Sequence, residues 1–290
     1  MSAENSAEIR DVSDTAIWVA HYRAVETESR DPIIRDPLAR LLVGDRGAAI
    51  AASFGRAGRY TAWTVISRTM IIDDYILNEL RQGVDAVVNL GAGLDTRPYR
   101  LDLPASLPWV EADFPHMIQY KTEKLRNEKP RCQLLRVGLD LSNDSARREF
   151  IATMVPDAKR ILILTEGVVP YLDEEQVSDL AQDLRDRPEV ALWIVEFFSE
   201  FSYRYMRRVG QSRQLANSPF KFFPKNWMEF FRERGWERKD LHFFGEIARR
   251  FHRPAPVPWL GKLLMLFMRK ERVAQLQRLS GYLLLQRRAD

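Results

Sequence analysis

Apolar positions in the first eighty residues recur at helical spacing. Ile17, Val19 and Ala20 open one apolar face, and Ile66, Met70, Ile71, Leu77 and Leu80 form another. The spacing predicts helix over most of Ser13 to Leu80, punctuated at Asp31-Pro32 and Asp36-Pro37, with Pro37 in the first turn of a short helix running to Val43. The period then changes. Ala86 to Leu90 is a short apolar run closed by Gly91-Ala92-Gly93, the pattern of a buried strand and a tight turn. Trp109 to Asp113, Cys132 to Val137, Ile161 to Thr165 and Val190 to Phe198 read as further strands. Helices are expected between them at Pro115 to Lys129, Ser145 to Met154 and Glu174 to Leu184.

Near-continuous apolar strands alternating with helices imply a parallel sheet covered on both faces. Beyond Phe198 the pattern loosens. Ser199 to Phe223 is basic and aromatic and reads as a helical insertion over the sheet's carboxyl edge; Trp227 to Arg234 is a helix stopped by Gly235. Trp236 to Phe244 and Gly281 to Arg287 would pair as a final hairpin at the sheet edge, with Pro254 to Pro258 as a stiff connection. The expected architecture is one α/β domain, Rossmann-like, with a seven-stranded, mostly parallel sheet and helices on both faces. Its parts would be an N-terminal helical cap (1–82), a ligand-binding core (83–198), an insertion or lid (199–235) and C-terminal strands with a helix (236–290).

Composition narrows the class. The 290 residues allow one large domain or two small ones, and 46% hydrophobic with 29% charged residues is a globular balance. A single cysteine, Cys132, excludes an internal disulfide or a CxxC site; it reads as a small core residue and fits a reducing cytoplasm. Val257 to Met268 is interrupted by Lys262 and falls short of the roughly 20 residues of a bilayer-crossing helix. Met1 to Arg10 is polar and acidic, unlike a secretory signal. A cytoplasmic protein without a membrane partner is expected.

The net charge of +4 is unevenly spread: residues 1–199 hold 24 Lys and Arg against 32 Asp and Glu, and residues 200–290 hold 20 against 8. A basic C-terminal third suggests an anionic partner or a solvated surface. Nucleic acid is not expected, because the acidic first two thirds would repel phosphate. Phe220, Phe222, Phe223 and Trp227 lie in apolar clusters suited to packing rather than base stacking.

Ligands of open parallel sheets bind beyond the carboxyl ends of the strands. The residues there are Gly91 and Gly93, Asp113, Asp140 and Glu166. Gly91-Ala92-Gly93-Leu94-Asp95 lacks the third glycine of the dinucleotide fingerprint. Asp113, an acid 22 positions after Gly91, stands where a ribose diol needs an acceptor. The further acids would repel a pyrophosphate and favour a cationic nucleoside, which S-adenosylmethionine is.

Three blocks carry a resemblance. Val88-Asn89-Leu90-Gly91-Ala92-Gly93-Leu94-Asp95-Thr96-Arg97, Glu111-Ala112-Asp113-Phe114-Pro115 with Lys121, and Thr165-Glu166-Gly167-Val168-Val169-Pro170-Tyr171-Leu172 resemble the leucine carboxyl methyltransferase family. His21-Tyr22-Arg23-Ala24 and Asp36-Pro37-Leu38-Ala39 look like its bacterial branch, which includes polyketide carboxyl O-methyltransferases. The likeness spans roughly 15 to 200 and is diffuse beyond. Ala112 stands where the family usually has valine. The substrate elements of the eukaryotic protein-methylating members are not found after residue 200, so a phosphatase C-terminus is not the expected acceptor.

The resemblance implies S-adenosylmethionine as cofactor. Gly91, with Gly93, would lie against its methionyl part, and Asp113 would accept from the ribose. Asp140 and Leu141 would hold the adenine, and Glu166 would face the ammonium. Arg68 would pair the methionine carboxylate, with Arg23 doing similar work. As residues alone, Arg68 also reads as an exposed helix charge, Asp140 as a helix cap and Arg23 as a surface residue.

The implied reaction is methyl-ester formation on a carboxylate of a small-molecule (polyketide-like) or peptide acid. A carboxylate is already ionised at neutral pH and needs no general base, so none is assigned. The histidines His21, His116, His242 and His252 form no pair at dyad or ligand spacing, and no metal site is expected. Tyr171, Tyr22 and Tyr60, with an arginine among Arg204, Arg207, Arg208 and Arg213, are candidates to position the acceptor. A phenol or hydroxyl O-methyltransferase on the same fold, or a non-catalytic cofactor-binding module, are the alternatives.

Overall fold

A computed structural model of the chain describes residues 12–53, 57–199, 201–202, 220–257, 259, 263 and 266–289. The chain divides into two compact units, one of Met1–Ile71, Phe197–Asn217 and Leu241–Tyr282, the other of Ile72–Glu196, Ser218–Asp240 and Leu283–Asp290.

The first unit opens with α1 (Val12–Thr27), which packs on α2 (Ala39–Ser53). Asp36 stands just ahead of α2, where its carboxylate accepts from the Ala39 amide and from Arg23 Nε at 2.8 Å. The sequence places the start of this helix at Pro37; it begins two residues later and continues past Val43 through a bend at Gly44, whose φ of +56° suits glycine. α3 (Ala57–Arg81) follows.

The strands are β1 (Ala86–Leu90), β2 (Pro108–Asp113), β3 (Gln133–Gly138), β4 (Ile161–Leu164), β5 (Val190–Phe198), β6 (Trp236–Phe243) and β7 (Ser280–Arg287). They form one sheet in the order β3-β2-β1-β4-β5-β7-β6, and the first five run parallel. β1 and β4 are buried at every position, as strands covered on both faces should be. The connecting helices are α4 (Arg97–Arg100), α5 (Pro115–Lys124), α6 (Asp144–Thr153) and α7 (Glu174–Arg185), with a 3-10 turn at Val169–Tyr171. α8 (Trp227–Glu233) carries Trp227, Phe230 and Phe231 inward, where Phe231 meets Trp193 of β5 edge-on at 5.2 Å.

The expected last pair of strands is present. The Arg288 amide donates to the Gly235 carbonyl, and Gly281 lies against His242, so β7 runs antiparallel to β6. The pair is not a hairpin added at the edge, however: β7 enters between β5 and β6, and the Ser199 amide donates to Leu279 just ahead of β7. Among the described residues between these strands lie α9 (Phe244–Arg250) and α10 (Lys270–Gln277), where the sequence reading placed a single helix without bounds.

Candidate active site

The pairing register brings the candidate residues of the second unit to one edge. Leu90 pairs Ala112, Asp113 pairs Gly138, and Asn89 pairs Leu164, so β1 to β4 end nearly level. Their carboxyl-end turns carry Gly91, Gly93, Asp113, Asp140 and Glu166.

The first turn is built for close approach. Gly91 has φ +71°, and a Cβ there would lie 2.3 Å from Val168 Cγ2 of the loop after β4. The missing side chain thus lets two neighbouring turns touch. Gly93, at φ +44°, turns its amide onto Asp113 Oδ2 at 2.6 Å. Asp113 Oδ1 accepts from the Phe114 amide at 2.7 Å. One carboxylate therefore ties the glycine turn to the end of β2. Burial pushes its pKa up, and the two amides, with Lys121 and His116, oppose that shift without cancelling it.

Asp140 is exposed and accepts from the Ser142 amide and hydroxyl at 2.9 and 2.7 Å. It shapes the turn that leads to α6, whose cap is Asn143. The Leu141 carbonyl accepts from Arg147.

Glu166 is drawn into a buried ion network. Arg97, fully buried, donates through Nη1 to Glu166 Oε2 at 2.7 Å and Asp95 Oδ2 at 2.9 Å, and through Nε to Asp73 Oδ1 at 2.7 Å. Arg100 grips Asp73 with two bonds, at 2.6 and 2.8 Å, and Asn89 donates to Asp95 at 2.9 Å. Burial alone would lower the Arg97 pKa, but the fields of Asp95, Glu166 and Asp73 hold the guanidinium firmly charged. Three carboxylates and two guanidiniums meet here. Sequence reasoning assigned no role to Arg97, Asp95, Asp73 or Arg100. The available signal was an acid, Asp73, set directly after Met70-Ile71-Ile72 in an apolar helix stretch.

Tyr171 ends the 3-10 turn beyond Glu166, and its ring meets Phe220 edge-on at 5.1 Å. The remaining candidates belong to the first unit. Arg23 is buried in its ion pair with Asp36. Arg68 sits half-buried on α3. Tyr22 is buried beside Trp18, and Tyr60 is exposed beside Trp63. Arg204, Arg207, Arg208 and Arg213, with most of the expected lid, lie outside the described residues. His116 is exposed and stacks on Phe114, with ring centroids 5.7 Å apart. Among the described residues no group of His, Cys, Asp and Glu could hold a metal ion. Cys132 is buried, and burial followed by the Glu111 charge pushes its thiol pKa up to about 12, so it is unreactive.

The donor set fits a cationic ribonucleoside. Its strand-end groups are acceptors, and the guanidiniums of Arg97 and Arg100 near the glycine turn are already paired with carboxylates. A phosphate-binding loop would need the opposite balance.

Sheet order and strand-end acids together define the class: an α/β fold with acids and a glycine turn at the carboxyl edge of its parallel strands. Comparison with known proteins makes this specific. Residues 16–185 match the leucine carboxyl methyltransferase family, and the chain belongs to it. A Frankia alni protein provisionally assigned as an S-adenosyl-L-methionine-dependent methyltransferase is 28% identical over 262 residues, 84% of this chain and 90% of that protein. A Mycobacteroides abscessus protein with the same assignment is 35% identical over 188 residues, 60% of this chain and 61% of its own length. The fold is that of a DUF574 family protein from Streptomyces avermitilis, with a TM-score of 0.57 at 12% identity over 92% of this chain and 96% of that one.

Proposed function

We propose that the protein is an S-adenosylmethionine-dependent methyltransferase that esterifies a carboxylate of a small-molecule, polyketide-like or peptide acid. The observation that carries this reading is Asp113. Its carboxylate is fixed by the Gly93 and Phe114 amides at the mouth of the sheet, at an edge that also carries Asp140 and Glu166. Family membership and the Frankia and Mycobacteroides relatives support the same cofactor.

In this reading Asp113 accepts from the ribose hydroxyls, and the Gly91 to Gly93 turn lets the ligand approach the backbone. Asp140 and Leu141 border the adenine. Glu166, held by Arg97, presents negative charge to the amino-acid ammonium. When bound, the cofactor supplies an electrophilic methyl group on a sulfonium. The acceptor carboxylate is ionised at neutral pH, so no residue has to remove a proton. The protein's work is alignment and exclusion of water, because charge is neutralised as the methyl moves. Tyr171 is the favoured residue to orient the acceptor.

The test is a mass-shift screen of polyketide and peptide acids with purified protein and methyl-labelled cofactor, followed by alkaline hydrolysis. A labelled product cleaved by alkali is the expected ester. An alkali-stable product would mean a hydroxyl acceptor, and cofactor retained without transfer in a single turnover would mean a binding module.

A further inference from the structure

β5 is apolar until near its carboxyl end and then carries an acid. Leu192, Trp193, Ile194 and Val195 are buried, and Glu196 follows them at only 5% exposure. The register sets it beside the end of β4: Leu164 pairs Ile194, and the Thr165 amide donates to the Ile194 carbonyl. A carboxylate leaves water only where hydrogen bonds replace it. The Gly167 amide donates one of these, to Glu196 Oε1.

That amide shares a plane with the base of the neighbouring site residue. The peptide bond joining Glu166 to Gly167 holds the Glu166 Cα and the Gly167 nitrogen in one rigid unit. A grip on the Gly167 amide is therefore a grip on the root of the Glu166 side chain. The tip is held separately, by Arg97 at 2.7 Å. Val168 lies against the glycine turn, and the Pro170 carbonyl accepts from the Lys221 amide at 2.7 Å. Gly167 has φ +71° and open space where a Cβ would stand. No side chain packs there to fix the turn, so a hydrogen bond to the backbone does that work.

We propose that Glu196 is a positioning residue for the cofactor's amino-acid end: by gripping the Glu166–Gly167 peptide it sets where Glu166 presents its charge. This rests on the reading in which Glu166 faces the cofactor's ammonium. Glu196 acts through Glu166 rather than by its own charge.

The test compares two ligands by calorimetry on the full-length protein. S-adenosylhomocysteine carries the amino-acid end, and methylthioadenosine keeps the nucleoside but lacks that end. Glu196→Ala takes the acceptor from the Gly167 amide and weakens S-adenosylhomocysteine about tenfold, with methylthioadenosine changed less than about twofold. A residue that only supported the fold would weaken both alike. Glu196→Gln keeps an oxygen for the amide and loses the charge, so it restores most of the affinity. Should the alanine variant not fold, Glu196→Asp draws the oxygen back by one methylene and shows the same split between ligands. Glu166→Ala gives that split too, and adding Glu196→Ala to it costs little more, because the two act as a unit. Equal weakening of both ligands, no weakening, or a glutamine variant as weak as the alanine one overturns the proposal, while a selective loss in Glu166→Ala leaves the reading of the site standing. Without a selective loss in Glu166→Ala that reading fails, and the proposal with it.

Discussion

Arg97 shows how one side chain can hold a site together. Its guanidinium reaches carboxylates from α3, from the glycine turn and from the loop after β4, so three separate segments share one buried cation. Removing it takes that cation from three carboxylates, of which Asp73 keeps Arg100 and Asp95 keeps Asn89. Arg97→Gln is expected to cost about 3–5 kcal/mol of stability, read by urea denaturation. A cost below 1 kcal/mol, the range of an exposed pair, would show that the network contributes little. Asp113 makes the complementary prediction. If Asp113 accepts from the ribose as proposed, Asp113→Ala should weaken S-adenosylmethionine binding by about 1.5–3 kcal/mol in calorimetry. Burial raises its pKa, and binding requires the ionised form, so affinity falls with decreasing pH from a higher pH than for an ordinary aspartate. An acid limb at the ordinary aspartate value, or the same limb in Asp113→Ala, would assign that pH dependence elsewhere.

Elements whose ends carry their own chemistry were legible before the structure. α7 begins at Glu174 because Asp173 accepts from the Gln176 amide at 2.9 Å while the Gln176 side chain accepts from the Asp173 amide at 3.0 Å. Val177, Leu180, Ala181 and Leu184 then face inward at helical spacing. Asp173→Ala should cost about 1 kcal/mol, visible as a lower denaturation midpoint with unchanged slope. β1 and β4 were equally plain as unbroken apolar runs between turn residues. α9 and α10 were not. α9 follows β6 without a break at Phe244, has no side-chain cap, and its aromatic start reads as strand. α10 buries nothing, so it leaves no apolar face to find.

At the scale of the molecule the charge imbalance acquires a location. Five exposed basic residues from Arg249 to Arg272 place a quarter of the 20 C-terminal Lys and Arg on the surface. The strand-end site should also couple to global stability, because a ligand that binds only the folded state stabilises it by mass action. S-adenosylmethionine at a hundredfold its Kd should raise the unfolding free energy by about 2.7 kcal/mol, and a phosphorylated dinucleotide should not. Equal stabilisation by both, in thermal melts at matched concentration, would contradict an acid-lined nucleoside site.

The sequence by itself determined the alternation of strand and helix, the glycine turn, and the acids that end β2 and β4. Each is local: an apolar period, a backbone angle that glycine tolerates, a polar residue where an apolar run stops. Only the tertiary structure decided that β7 lies inside the sheet, that Val168 fills the space a side chain at position 91 would need, and that Glu166 is held by Arg97 from 69 positions away. Those outcomes depend on which distant segments meet. Buried charge is settled there as well, because a carboxylate and a guanidinium can leave water only when each finds the other.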